Sequence, residues 1–124
     1  MKSGGENKYM KLNTLESQMV IDIYDADMLP EMSFEIENYI LTEEDEKRKK
    51  QEFAFHLGKL KKLGFIKYEE KEAFLKDGIR STKYNNNVAM IYENRIHIDS
   101  KGINLVEWNN HSNSEILRQE YRCG

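Results

Sequence analysis

The chain holds one cysteine and one proline in 124 residues, so little in it staples or breaks a fold. Cys123 is next to last, which leaves no disulfide framework. No apolar run approaches the ~20 residues of a membrane-spanning helix. The opening MKSGGENKYM has no apolar signal core, so a cytoplasmic location without a membrane partner is expected. His56, His97 and His111 are scattered outside any metal-ligand spacing, and the HID at 97–99 has no nucleophile beside it. No glycine-rich phosphate loop and no internal repeat appear. The expectation is a protein that is not an enzyme and carries no cofactor or metal.

What is present is charge, unevenly placed. The net charge of −3 conceals an acidic segment 1–46 (−9), a basic segment 47–67 (+7, with Glu52 its only acid) and a nearly balanced remainder 68–124 (−1). Local potential steers ligands more than net charge does, so one basic block in an acidic frame keeps nucleic acid in play. A chain that is 39% hydrophobic and 33% charged is globular in composition, and its length is that of one domain.

Residues 1–11 are polar and read as a flexible N-terminus. Asn13 with Glu16 resembles a capping box, and Leu15, Met19 and Ile23 follow at helical spacing. This first helix should fade at Asp25–Asp27 and stop before Pro30. SFEIENYIL, 33–41, alternates like a strand, although Ile36, Tyr39 and Ile40 could line a helix; a short strand is expected. Thr42 with Asp45 reads as a second cap, opening a long helix over roughly 43–63. At about 100° per residue, Phe53, Leu57 and Leu60 form its buried stripe, and Gly64 is its expected stop. Phe65, Ile66 and Tyr68 open a strand. An excursion follows, with a turn signal at Asp77-Gly78 and an asparagine run at 85–87. Val88 to Ile98 reads as one strand. Asp99 to Gly102 reads as a turn before a short helix with Ile103 and Val106. Ser112 with Glu115 caps a terminal helix through Tyr121.

The expected class is α+β: helix, short strand, long helix, two-stranded hairpin, short helix. AFHLGKLKKLGFIKY followed by RIHIDSKGINLVEW resembles small winged-helix proteins of phages and prophages, most of unknown function. The matching positions are Phe55, His56, Leu57, Leu60, Gly64, Phe65 and Ile66, then Ile98, Asp99, Gly102 and Leu105, within about 33–108. The resemblance implies a winged helix-turn-helix domain over 12–108, with a C-terminal loop and short helix over 109–124. The longer lead TEEDEKRKKQE and that terminal helix depart from the pattern.

Opposite the buried stripe lie Arg48, Gln51, Phe55, Lys59 and Lys62, flanked by Lys47 and Gly58. As a recognition helix this face would bring cations to phosphates, Gln51 to a base edge and Phe55 to a thymine methyl or sugar. It reads equally as a solvated lysine-rich face. An exposed phenylalanine needs cover, from DNA, another subunit or the chain's own first helix. Arg80 and Lys83, with Lys76 and Tyr84, mark the hairpin tip as a second contact, while the acidic block 35–46 would repel phosphates. His56, just off the stripe, reads as a partly buried, hydrogen-bonded side chain. The expectation is a phage-type transcriptional regulator that binds double-stranded DNA; the alternative is a protein–protein interaction module. A homodimer is expected through the terminal segments. Ile116, Leu117 and Tyr121 would cover Met19 and Ile23 of their own chain or of a neighbour.

Overall fold

The computed structural model describes residues 12–108. The elements in order are α1 (Thr14–Met28), a 3-10 turn (Ile36–Asn38), α2 (Glu46–Lys62), β1 (Ile66–Lys67) and the single-turn α3 (Glu70–Ala73). Then come β2 (Phe74–Ser81), β3 (Asn86–Ile91), a second 3-10 turn (Glu93–Arg95), β4 (His97–Ile98) and a helix α4 over 100–108. The class is α+β, with two separate two-stranded antiparallel sheets, β1–β4 and β2–β3. No helix among the described residues is long and apolar enough to cross a membrane.

The expected capping box opens α1. Asn13 Oδ1 accepts from the Glu16 amide at 2.7 Å, and Glu16 Oε1 accepts from the Asn13 amide at 3.2 Å. Leu29, next to Pro30, is already extended, as pre-proline sterics require. Met19, Val20 and Ile23 of α1 pack into the core with Phe53, Leu57 and Leu60 of α2. Each such large apolar side chain contributes about 1.5–3 kcal/mol. Gly64 closes α2 at φ 88°. Its amide donates to Lys61 O and the Phe65 amide to Leu60 O, both at 3.0 Å, which satisfies two terminal carbonyls and turns the chain into β1.

Four expectations are corrected. First, α2 begins at Glu46 and is capped by Asp45, whose side chain accepts from the Arg48 amide at 3.0 Å. Thr42 is occupied elsewhere: its amide and hydroxyl both donate to Glu52 Oε2, and the Glu43 amide donates to Oε1. Second, 33–41 holds a 3-10 turn and no strand. Phe34 and Tyr39 wrap over Phe53, with ring centroids 5.5 and 5.3 Å away, so aromatic packing replaces strand pairing. Third, the hairpin turn lies at 82–85, with Asn85 at φ 57°, while Asp77-Gly78 sits inside β2. Fourth, 88–98 is not one strand. The Tyr92 amide donates to Ala73 O at 2.7 Å, and the turn Glu93–Arg95 redirects the chain so that β4 pairs with β1.

The closing helix follows at once. α4 begins at residue 100, directly after Asp99, whose amide donates to Phe65 O. It crosses the β1–β4 pair at Gly102, where a Cβ would stand 2.2 Å from that same Phe65 oxygen. Only glycine fits this approach. Asp27, at the end of α1, ties down the far side of β4 by accepting from the Ile98 amide at 2.6 Å and meeting His97 Nδ1 at 2.9 Å. The expected terminal helix and its dimer contacts lie outside the described residues; Met19 and Ile23 are fully buried.

A candidate nucleic-acid interface

The hairpin lies along one flank of α2, and this decides what that helix shows to solvent. Asn86 Nδ2 donates to Gln51 O at 3.0 Å, and Gln51 Nε2 donates to Ile79 O at 3.3 Å. Gln51 is therefore buried, 3% exposed, and is not presented to a base edge as its helical position suggested. Lys47 forms an ion pair with Asp77 on the same flank.

The opposite flank is held by α1. Glu16 is 1% exposed and takes Lys59 Nζ at 2.9 Å and His56 Nδ1 at 2.7 Å. Burial alone would raise its pKa. The hydrogen bonds from Lys59, His56 and the Asn13 amide outweigh that and hold the carboxyl below its ordinary value. Lys59 is thus half-buried and paired, while His56 is hydrogen-bonded as its place off the stripe indicated.

Between the flanks runs a narrower open strip of Arg48, Phe55 and Lys62. Arg48 and Lys62 are exposed and make no ion pair among the described residues. Phe55 is 45% exposed, with the rings of Tyr84 at 5.9 Å and His56 at 5.6 Å. Its cover is the hairpin turn and a neighbour on its own helix.

The hairpin tip is docked onto the lead into α2. Tyr84 Oη donates to Glu43 Oε2 at 2.7 Å and Lys83 Nζ reaches the same oxygen at 3.0 Å. The Tyr84 bond and then the Lys83 bond lower the Glu43 pKa, and the Glu43 bond raises that of Lys83. Arg80, exposed, is aimed by the turn: Nη2 donates to Asn85 Oδ1 at 2.6 Å and to Asn85 O at 3.2 Å. Part of the acidic block thus fastens the basic tip in place.

Two open grooves meet on this face. One, about 870 Å³, runs from Glu43 and Arg48 to Lys83; the other, about 600 Å³, runs from Phe55, Gly58 and Lys62 across to Lys76 and Asn87. Arg80 and Tyr84 line both. Seven cations border the pair against three carboxylates, Glu43, Asp45 and Glu70, in a chain whose net charge is −3. Six of the seven expected contact residues lie on this face, and Gln51 meets it only from below. The tip lock through Glu43 and the Glu16 pair were not read from the sequence. Both join residues about 40 positions apart, and no local pattern announces such a pair. No family model, curated protein or solved structure matches the chain.

Proposed function

We propose that the chain is a winged-helix protein that binds double-stranded DNA, with α2 as the helix laid against the duplex and the β2–β3 hairpin as the wing. One observation carries the reading. Arg48, Lys62 and Arg80 are exposed, form no ion pair among the described residues, and border two adjoining grooves where cations outnumber carboxylates. Arg48 feels Glu43 through space without touching it, and Lys62 and Arg80 touch no carboxylate among the described residues; cations so placed on one face are what a phosphate backbone neutralises. Lys83 and Lys59, each already paired, would contribute at the rim. With Gln51 turned inward, α2 offers no amide to a base edge, so affinity should come from the backbone and vary little with sequence. A homodimer and a role in transcription belong to the same proposal, with the two copies gripping backbone along one duplex.

The test is a titration of a short duplex over a range of salt concentrations. Binding should weaken by roughly 0.9 decade per decade of salt for each phosphate contacted. A second reading, a protein-interaction module, is favoured by one other feature. Leu75 and Met90 are cross-strand neighbours on the outer side of the hairpin, 53% and 43% exposed, beside Tyr92 at 46%. Apolar docking there would scarcely respond to salt, so the same titration separates the two.

A further inference from the structure

The second groove contains two features that a phosphate-binding surface does not need. Gly58 lies in the middle of α2, where glycine costs a helix stability relative to alanine. Nothing packs so closely that glycine is required: a Cβ there would meet only Tyr68 Oη, at 4.0 Å. The space above the helix is simply left open. Tyr68 lines the same groove, is only 7% exposed, and its hydroxyl has no hydrogen-bond partner among the described residues. The ring is buried, with Lys61 Nζ 4.5 Å from its centroid, while the hydroxyl opens onto the groove, free to take a ligand in place of water.

Around this floor stand Phe55 and Tyr84 as aromatic walls, with Lys62, Lys76 and Arg80 as cations and Glu70 as the one carboxylate. Glu70 is itself paired with Lys76 at 3.1 Å. A flat ring over Gly58 would rest against Phe55 and bring its edge to the Tyr68 hydroxyl. A negative group attached to that ring would fall among Lys62 and Arg80. The ligand that combines a flat, hydrogen-bonding ring with an attached anion, and that suits an open groove rather than a closed cavity, is a nucleotide within a strand.

We propose that the groove over Gly58 takes one unstacked nucleotide of single-stranded DNA adjoining the bound duplex. This rests on the DNA-binding reading above. The base stacks on Phe55, its edge accepts from or donates to Tyr68 Oη, and the flanking phosphates lie on Lys62 and Arg80.

The test compares a blunt DNA stem with the same stem carrying a short single-stranded thymidine tail, by fluorescence anisotropy on the full chain. The tail should tighten binding ~10-fold or more, the size of one stacked base. Gly58→Leu fills the groove and should bring the ratio of tailed to blunt affinity to about one, with Tyr68→Phe lowering it part of the way. Thermal midpoints are measured beside each variant, and Gly58→Met, a helix-favouring and flexible side chain that still fills the groove, replaces Gly58→Leu if the latter unfolds. A ratio of one in the parent chain, or a ratio untouched by both the Gly58 and Tyr68 changes, overturns the groove assignment and leaves duplex binding standing. Binding of the tail alone, sensitive to Gly58→Leu and with none to the blunt stem, overturns the duplex reading and supports the groove. Failure to bind either DNA overturns both.

Discussion

Gly102 and Gly58 both sit in helices, and their surroundings differ as much as any two places in the molecule. At Gly102 a Cβ would lie 2.2 Å from the Phe65 carbonyl oxygen and 2.5 Å from Ile98 Cδ1, so α4 can close on the β1–β4 pair only because nothing projects there. At Gly58 the nearest atom is a hydroxyl 4.0 Å away. The first glycine lets two backbones meet, and the second leaves a surface unfilled. Around Gly102 the neighbours are apolar and buried; around Gly58 they are aromatic and cationic and border an open groove. Packing explains the first neighbourhood fully and the second hardly at all, which is why the second is the better guide to function.

The contrast can be broken at several points. The packed side should fail most sharply at Leu57, which is fully buried in the core cluster. Leu57→Ala should cost about 2–5 kcal/mol in chemical denaturation through the cavity it leaves; a smaller loss would mean that the core re-closes around the missing side chain. Glu16→Gln comes next. It keeps the shape but removes the charge that holds Lys59 and His56, at a cost of about 1.5–3 kcal/mol near neutral pH.

The pH dependence of that cost follows from its sign. The folded-state pKa of Glu16 is depressed, so the stabilisation is present above the unfolded value and is lost as pH falls through the folded one. Unfolding curves at about pH 7 and about pH 3 should therefore show the gap between parent and Glu16→Gln narrowing in acid. A gap that keeps its width would assign the effect to packing alone.

Gly102→Ala should destabilise by about 1–3 kcal/mol, since backbone must move to admit the methyl group. Gly58→Ala should do the opposite and raise stability by about 0.5–1 kcal/mol through helix propensity. Equal effects at the two glycines would erase the distinction between them.

The sequence disclosed the packed side better than the open one. The Asn13–Glu16 box, the stripe Phe53–Leu57–Leu60 and the stop at Gly64 are short-range patterns tied to helical geometry, and each stands where its spacing put it. The residues 33–41 misled because alternation at Phe34 and Ile36 looks the same whether a strand pairs or an aromatic side chain folds back onto Phe53. Gln51 and Lys59 misled for another reason. Opposite the stripe means exposed only on a helix packed from one side, and α2 is packed from three: by the core, by the hairpin through Asn86 and Ile79, and by α1 through Glu16. Arg48, Phe55 and Lys62 remain because they fall in the gap between those flanks. Tyr68 was read as a strand residue, and nothing in its neighbours along the chain marks its hydroxyl as unpartnered.

The salt slope of duplex binding, taken for the parent chain and for Arg48→Ala/Lys62→Ala together, tests the cationic face most directly. Neither side chain forms an ion pair among the described residues, so the thermal midpoint of the double variant should equal that of the parent. Its slope should be shallower by about 1.8, two phosphate contacts at roughly 0.9 each. A parent chain that does not bind duplex DNA, or a double variant whose slope matches the parent, would contradict the assignment of this face to DNA.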